Sequence, residues 1–179
     1  MAFEYNNNIT SVIIPESVTS IGEGAFDNCT SLINVIVPDD SQLTSIGNNA
    51  FADCANITNF NITNQVTNIG EFAFYGCTAI TNITVPENVT NIGKYAFYNC
   101  SNLESINIVA STFKIGSKAF DITLWYNNQP DGVIYIGNVL YKYKGTMSEN
   151  TTIDVVEGTT SIAGDAFSNC DNLTYITIP

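Results

Sequence analysis

The 179-residue sequence contains no histidine and no arginine, and its five basic residues are all lysine. Without histidine, Ser-His and Cys-His catalytic dyads are excluded. Seventeen acidic residues outweigh the lysines and give a formal net charge of −12. The chain therefore lacks the basic footprint on which nucleic acids and anionic membrane surfaces depend, and we expect no nucleic-acid partner.

Long apolar runs are missing as well. No stretch of the sequence approaches the roughly 18 apolar residues of a membrane-spanning helix. The segment that follows Met1 has neither the charged start nor the apolar centre of a signal peptide. Repeat motifs begin within ten residues of Met1 and stop in mid-repeat at Pro179. We expect no membrane insertion in this segment, and we interpret the chain as part of a longer array whose targeting signal it lacks.

In place of these features the sequence has a recurring phrase of 23 to 25 residues, marked by an Ala-Phe pair. A fixed period of roughly 20–29 residues is typical of leucine-rich repeats, which stack into a solenoid because one turn cannot bury its own apolar face. The sequence predicts one such solenoid over residues 1–179, with about six to seven turns. The pairs stand at Ala25-Phe26, Ala50-Phe51, Ala73-Phe74, Ala96-Phe97, Ala119-Phe120 and Ala166-Phe167.

The first half of each unit alternates apolar and polar residues, as between Ile80 and Val85. Alternation predicts a short strand with one inward face, and one strand per turn predicts a parallel ladder. The intervening side chains point outward and form a candidate binding surface. Its visible residues are mostly Thr, Asn and Ser, and the apolar exceptions are Ile13, Ile33, Ile36 and Tyr175. The candidates on this surface are Thr58, Asn59, Asn61, Thr81, Asn82, Thr84, Glu104, Ser105, Asn107 and Tyr175.

The second half of each unit reads Val-x-x-Ile-Gly-x-x-Ala-Phe-x-x-Cys. The recurring glycine predicts either a positive φ or a close backbone contact, and it stands at Gly22, Gly47, Gly70, Gly93 and Gly116. The spacing of Phe and Cys predicts a helical turn with both side chains inward. We therefore expect a buried column made of Phe26, Phe51, Phe74, Phe97, Phe120 and Phe167.

The cysteines fill one slot of the repeat, at Cys29, Cys54, Cys77, Cys100 and Cys170. Stacked side chains point in parallel, their number is odd, and no histidine or Cys-x-x-Cys motif accompanies them. The pattern favours buried free thiols over disulfides or a metal site. The adjacent Asp39 and Asp40 favour a solvated loop over weak calcium binding. We expect no metal and no cofactor.

An insertion over residues 124–149 interrupts the period. Two apolar strands around Gly137-Asn138 predict a β-hairpin with Ile136 opposite Val139, Tyr135 opposite Leu140 and Ile134 opposite Tyr141. Aromatic residues beside lysines suit a binding site, and this adds Tyr135 and Tyr143 to the candidate surface. The alternative, which we favour, is that the hairpin packs on the solenoid near Phe120 and Trp125.

The register Leu-x-x-Ile-x-Ile-Pro followed by Ile-Gly-x-x-Ala-Phe-x-x-Cys resembles the BspA-like class of leucine-rich repeats, over residues 9–123 and 150–179. The resemblance implies a curved right-handed superhelix, α/β or mostly β, with a parallel sheet on the concave side and short helical turns on the other. It also implies a bacterial cell-surface or secreted protein that adheres to host or matrix proteins, without catalytic residues. Departures from the register cluster around the insertion, at Thr112, Thr123, Asn150 and Thr159.

Three functional hypotheses remain open on the sequence. The leading one is a non-enzymatic module that binds a protein through the concave face or the hairpin. The rivals are a structural spacer, favoured by the bland Thr and Asn surface, and a carbohydrate-binding surface that uses Trp125 and the tyrosines. The uncapped edge strands, Ile9 to Ile14 and Leu173 to Ile178, also predict self-association through the ends.

Overall fold

The computed structural model describes residues 2–110 and 113–179. Its first five turns are built from strand pairs: β1 Ser11–Ile13, β2 Ser20–Ile21, β3 Asn34–Ile36, β4 Ser45–Ile46, β5 Asn59–Phe60, β6 Asn68–Ile69, β7 Asn82–Val85, β8 Asn91–Ile92, β9 Ser105–Ile108 and β10 Lys114–Ile115. The remaining elements are α1 Leu124–Asn127, β11 Gly132–Ile136, β12 Val139–Lys144, β13 Thr151–Asp154, β14 Ser161–Ile162 and β15 Leu173–Thr177. The chain is a β-solenoid of about seven turns with very little helix.

Two rows of parallel strands run along the solenoid. The first row contains the ladders β1-β3-β5, β7-β9 and β13-β15, and the second contains β2-β4-β6-β8-β10. Equivalent residues pair from turn to turn, so Ile46 faces Ile69 and Ile69 faces Ile92. This register follows from the repeat, because a shift by one residue would turn every apolar side chain outward.

The predicted phenylalanine column is confirmed in five turns. Rings stack at centroid distances of 5.2 Å for Phe26 and Phe51, 5.4 Å for Phe51 and Phe74, 5.1 Å for Phe74 and Phe97, and 5.2 Å for Phe97 and Phe120. All five side chains are buried. The prediction is wrong for the sixth member, Phe167, which is half-buried and belongs to a second, smaller core cluster beyond the hairpin.

The column also extends one turn further than the sequence analysis expected. Ala2-Phe3 lies 23 residues before Ala25-Phe26 and is another copy of the pair. The Phe3 ring stacks on Phe26 at 5.2 Å, and the Phe3 N–H donates to the carbonyl of Ala25 at 2.8 Å. Phe3 is 46% exposed, since no described ring covers its outer face. Self-association through this end remains a prediction.

The recurring glycine is explained by close backbone contact and not by positive φ. None of the five adopts the left-handed region. A Cβ placed on Gly93 would lie 2.5 Å from the backbone nitrogen of Glu71 in the preceding turn, whereas a Cβ on Gly22 would meet nothing within 4 Å. Stacked turns therefore approach too closely for a side chain. In the last turn Ala163 takes the place of the glycine, and its N–H donates to Leu140 in the hairpin at 2.8 Å.

The Ala-Phe segment is a pair of tight turns and not the helical turn that the spacing predicted. Residues two before and two after each phenylalanine adopt positive φ, as at Tyr95 (57°) and Asn99 (59°) around Phe97. Alternate N–H groups then point along the solenoid: Phe97 donates to Ala119 in the next turn at 2.8 Å. Hydrogen bonds between turns thus replace those within a helix.

The hairpin forms a layer of the solenoid. Strand β11 pairs with β12 in antiparallel fashion, and β12 pairs in parallel with β14 of the last turn, Leu140 facing Ile162. Tyr143, which stands 23 residues after Phe120, donates its N–H to Ala166 at 2.8 Å, as the phenylalanines do in regular turns. The inserted residues therefore continue the backbone ladder.

The pairing predicted for the hairpin is right near the turn and wrong further away. Ile136 faces Val139 and Tyr135 faces Leu140, but Ile134 faces Lys142 because a β-bulge shifts the register at that point. The extra residue keeps Tyr141 on the side of the main core. The Gly-Asn sequence of a two-residue turn does not indicate whether a bulge occurs further along the hairpin.

The departures from the repeat have separate explanations. Thr123, in a cysteine slot, is fully buried, donates to the carbonyl of Phe120 at 2.7 Å and caps α1 by accepting from the N–H of Tyr126 at 3.0 Å. Asn150 adopts a positive φ of 58°, and the hydroxyl of Thr159 donates to the carbonyl of Val156 at 2.6 Å. The remaining departure, Thr112, lies outside the described residues.

Candidate functional site

The strand face is defined here as the outward side chains of the first strand row. Ten of the twelve candidate residues lie on or beside this row, and all ten are exposed: Thr58, Asn59, Asn61, Thr81, Asn82, Thr84, Glu104, Ser105, Asn107 and Tyr175. The alternate residues of β5 and β7, such as Ile83, are buried, whereas Ile106 and Ile108 of β9 and Ile176 of β15 are half-buried. Nine of the ten lie in turns 3 to 5, and Tyr175 lies on β15, the strand that follows the last complete turn and pairs with its β13.

Four of these residues surround one shallow cavity of about 210 Å³ between turns 3 and 4, where the first strand row is interrupted between β5 and β7. They are Asn59, Asn61, Asn82 and Thr84, above the partly accessible side chains of Phe60 and Ile62. The amide of Asn61 donates to Asp39 at 3.1 Å, and the amide of Asn82 donates to Thr81 at 3.2 Å. Around this cavity the strand face therefore offers uncharged amide and hydroxyl groups on a fixed backbone.

The other two candidates, Tyr135 and Tyr143, lie apart from the strand-face group. Both are half-buried. The Tyr135 side chain packs on the second core cluster, and its hydroxyl accepts from the N–H of Val156 at 3.0 Å. Tyr143 meets Ala166 through its backbone N–H. The structure thus gives the Tyr135 side chain a packing role, and a binding role for either tyrosine remains a prediction.

A buried polar group joins the hairpin to turn 5. The hydroxyl of Tyr141 accepts the N–H of Phe120 at 2.9 Å and donates to Asp121 at 2.7 Å. Asp121 also forms a salt bridge with Lys142. Burial, followed by the charge of Asp121, raises the pKa of Tyr141 well above its usual value, so the phenol stays protonated and can donate.

The second hairpin lysine holds the short helix. Lys144 donates to the carbonyls of Asn127 at 2.8 Å and Tyr126 at 3.2 Å, at the end of α1 where carbonyls lack helical partners. Its ammonium lies 5.4 Å from the centroid of the Tyr126 ring. Tyr141 packs edge-on against Phe120 at 6.2 Å, which places the hairpin beside Phe120 as expected. These contacts support the packing interpretation of the hairpin.

The cysteines are free, and four of them are buried. Their thiols donate to a phenylalanine carbonyl of the preceding turn: Cys54 to Phe26 at 2.9 Å, and Cys77 to Phe51 at 3.1 Å. Burial raises the pKa of Cys54 and of Cys100 to about 12, so the thiolate needed for metal or redox chemistry is suppressed. The fifth, Cys170, is only half-buried, so the prediction of burial is wrong for this residue.

The described residues, 2–110 and 113–179, contain no group of three or more His, Cys, Asp or Glu side chains placed to hold a metal ion. Within the same residues, no helix is long and apolar enough to cross a bilayer.

Stacked turns with a pair of strands in each regular repeat, a phenylalanine column and a cysteine slot define a leucine-rich-repeat solenoid. A family model described as a BspA type leucine rich repeat region matches six copies over residues 1–125 and 134–179. The chain belongs to this family. No curated protein matches the sequence.

Three solved bacterial structures resemble the chain. A leucine rich cell surface protein from Faecalibacterium prausnitzii is 33% identical, with a TM-score of 0.65 over 94% of this chain and 38% of its own. A leucine-rich repeat protein from Bacteroides ovatus is 25% identical, with a TM-score of 0.63 over 99% and 51%. A leucine rich repeat protein of T. pallidum is 26% identical, with a TM-score of 0.53 over 69% and 68%. The chain therefore spans about two fifths of the length of the Faecalibacterium prausnitzii protein and about one half of the length of the Bacteroides ovatus protein.

Proposed function

We propose that this chain is a non-enzymatic protein-interaction segment of a bacterial cell-surface or secreted adhesin, and that it binds host or matrix proteins through the strand face. The observation that carries the proposal is the set of ten exposed side chains on or beside laddered strands, whose alternate side chains are buried in β5 and β7 and half-buried in β9 and β15. A binding surface gains from such rigidity because little conformational entropy is lost on association.

Family membership supports this function, since solenoid repeats present extended surfaces to protein ligands. The surface location is supported by the name of the similar Faecalibacterium prausnitzii protein, a leucine rich cell surface protein. Two alternatives make different predictions. A structural spacer binds nothing through its repeats, and a carbohydrate-binding protein requires open aromatic faces as platforms.

The test uses two double variants of equal charge. Asn59→Arg with Asn82→Arg places two bulky cations on the strand face, in residues that line the cavity there. Gln65→Arg with Ser101→Arg places the same charges on exposed loop positions away from the strands. Binding of the parent chain and both variants to decellularised mammalian matrix is measured before and after protease treatment or glycosidase treatment of the matrix.

The proposal predicts saturable binding that protease abolishes, that the strand-face variant loses and that the loop variant keeps. Binding that glycosidase abolishes and protease spares supports the carbohydrate alternative. Absence of binding by the parent chain supports the spacer. Equal losses in the two variants would show that added charge, and not the strand face, determines the result.

A further inference from the structure

A second surface is formed by the tight turns around the phenylalanine column. The residue two positions before each buried phenylalanine of the column adopts a positive φ. In turns 1 to 5 this residue is Gly24, Asn49, Phe72, Tyr95 and Lys118. Glycine and asparagine tolerate this conformation, whereas large aromatic residues disfavour it. Turns 3 and 4 alone place aromatics at this position among the regular turns. Folding does not require them, because Gly24 and Asn49 make the same turn.

These two rings belong to a cluster of four, which we define as the aromatic patch. Phe72 stacks on Tyr95 at a centroid distance of 4.9 Å, and Tyr75 stacks on Tyr98 at 5.6 Å. Within each turn the rings also meet, at 5.8 Å for Phe72 and Tyr75 and at 5.1 Å for Tyr95 and Tyr98. All four side chains are half-buried and lie outside the two core clusters. The patch is therefore a surface feature of two consecutive turns.

Two of the five lysines of this acidic chain lie at the patch. The ammonium groups of Lys94 and Lys118 are 5.2 Å and 5.8 Å from the centroid of the Tyr95 ring. Over the described residues, the one salt bridge of the molecule joins Lys142 to Asp121, so neither patch lysine is neutralised by a salt bridge. The residue directly before the first patch ring is Glu71 in turn 3 and Lys94 in turn 4. The charge at this position of the repeat therefore changes from negative to positive between the two turns.

The patch borders a cavity of about 310 Å³ at the junction with the hairpin. Its lining includes Tyr98 of the patch together with Lys118, Lys142, Asp121 and Asp165. Lys142 forms a salt bridge with Asp121, which leaves Lys118 and Asp165 as the remaining charged groups of the cavity, with Lys118 on the side of the rings. Rings, lysine and cavity are thus continuous along one side of turns 3 to 5.

We propose that the aromatic patch with Lys94 and Lys118 is a docking surface for an acidic peptide segment that carries apolar side chains between its carboxylates. Charge complementarity selects the acidic partner: the two lysines attract carboxylates, and the rings contact the apolar side chains. This surface is separate from the strand face and adds a second partner class to the proposed function.

Ring geometry favours a peptide over a sugar. A sugar needs an open ring face, but one face of Tyr95 is covered by Phe72, and both lysine ammonium groups lie near the same ring. Stacked rings present their edges to solvent, and aromatic edges carry partial positive charge that suits carboxylate oxygens. Edges and ammonium groups therefore attract the same ligand atoms.

The experiment uses a fluorescein-labelled peptide that alternates glutamate with phenylalanine, and an analogue with glutamine in place of glutamate. Binding to the whole chain is followed by fluorescence anisotropy. Three single variants are compared with the parent. Lys118→Glu reverses a patch charge, and Lys114→Glu makes the same change at an exposed lysine on β10. Tyr95→Asn removes a ring while supplying the residue type that Asn49 has at the same backbone position.

We expect the acidic peptide to bind the parent chain and to weaken by roughly fivefold or more in high salt, with the glutamine analogue or with Lys118→Glu. Lys114→Glu should stay within about twofold of the parent. Tyr95→Asn should lose binding while keeping or raising the melting temperature, because asparagine suits positive φ.

Three results would overturn the proposal: no binding of the acidic peptide to the parent at low salt, equal effects of the two lysine variants, or full binding by Tyr95→Asn. Binding of oligogalacturonate without binding of the peptide would also overturn it in favour of a glycan. Matrix binding through the strand face is measured separately, so failure of this proposal leaves that function standing.

Discussion

The regular turns and the hairpin layer extend the same stack by different means. In turn 4 the N–H of Phe97 donates to the carbonyl of Ala119 in the next turn at 2.8 Å. One turn later the N–H of Phe120 finds no repeat carbonyl and donates to the hydroxyl of Tyr141 at 2.9 Å. A side chain replaces a backbone group, and a salt-bridged Asp121 holds it in place. The solenoid thus requires a matched acceptor in each layer and not a repeated residue.

The largest effect expected is the loss of a central ring from the regular turns. Phe74→Ala should lower the free energy of unfolding by about 3–5 kcal/mol, because the side chain is fully buried between two stacked rings. Phe3→Ala is the matched control: it stacks on one ring only and is 46% exposed, so its cost should be well below that of Phe74→Ala. Thermal unfolding of both variants measures the difference, and equal losses would contradict the column.

Alkaline pH should weaken the regular turns through their thiols. The pKa values of Cys54 and Cys100 are about 12 in the folded chain against 9.0 for the model thiol, because burial disfavours the thiolate. Their contribution to stability is complete below pH 9 and is lost as pH rises from 9 towards 12. Each cysteine should lower the free energy of unfolding by about 1.4 kcal/mol per pH unit in that window.

The control for this titration is the double variant Cys54→Ala with Cys100→Ala. The informative quantity is the difference in slope between parent and variant, because the two chains differ only in these two thiols. Urea unfolding at several pH values between 9 and 10.5 gives both slopes. Parallel slopes would mean that the thiols are not held protonated by the fold.

Close contact between turns should make the recurring glycines unequal. Gly93→Ala should lower the free energy of unfolding by about 1–3 kcal/mol, because a Cβ would lie 2.5 Å from backbone of the preceding turn. Gly22→Ala, with nothing within 4 Å, should change stability by less than about 0.5 kcal/mol. Urea midpoints of the two variants provide the comparison, and a similar cost at both positions would refute the contact explanation.

The smallest of these effects is expected at the hairpin junction. Tyr141→Phe leaves the N–H of Phe120 and a carboxylate oxygen of Asp121 without their partner, which should cost about 1–2 kcal/mol. Tyr175→Phe removes a hydroxyl from a side chain that is 63% exposed and should have almost no effect. If thermal unfolding does not distinguish the two variants, the hydroxyl is not the acceptor that joins hairpin and turn.

The features that the sequence predicts are those of the regular turns and not those of the hairpin layer. The repeat predicts strand register, the phenylalanine column and the exposed strand face, because the same residue types recur at the same positions in successive turns. Ala2-Phe3 carries only part of the repeat signal, because Asn6 stands in its cysteine slot. The bulge that sets Ile134 against Lys142 occurs once and has no repeated pattern to reveal it. The aromatic patch is confined to two turns and to partly exposed positions, which the apolar pattern of the repeat does not mark.

The hairpin is a structural layer of the solenoid, because it supplies acceptors to turn 5 and to the last complete turn. Hydrogen exchange on a variant in which a short linker replaces residues 131–145 tests this role. The amides of Phe120 and Ala163, whose acceptors are Tyr141 and Leu140, should lose protection. The amides of Phe51 and Phe74 should exchange as slowly as in the parent, because contacts in a solenoid are local. Unchanged protection at Phe120 and Ala163 would contradict the account and mark the hairpin as an accessory to a stack that is complete without it.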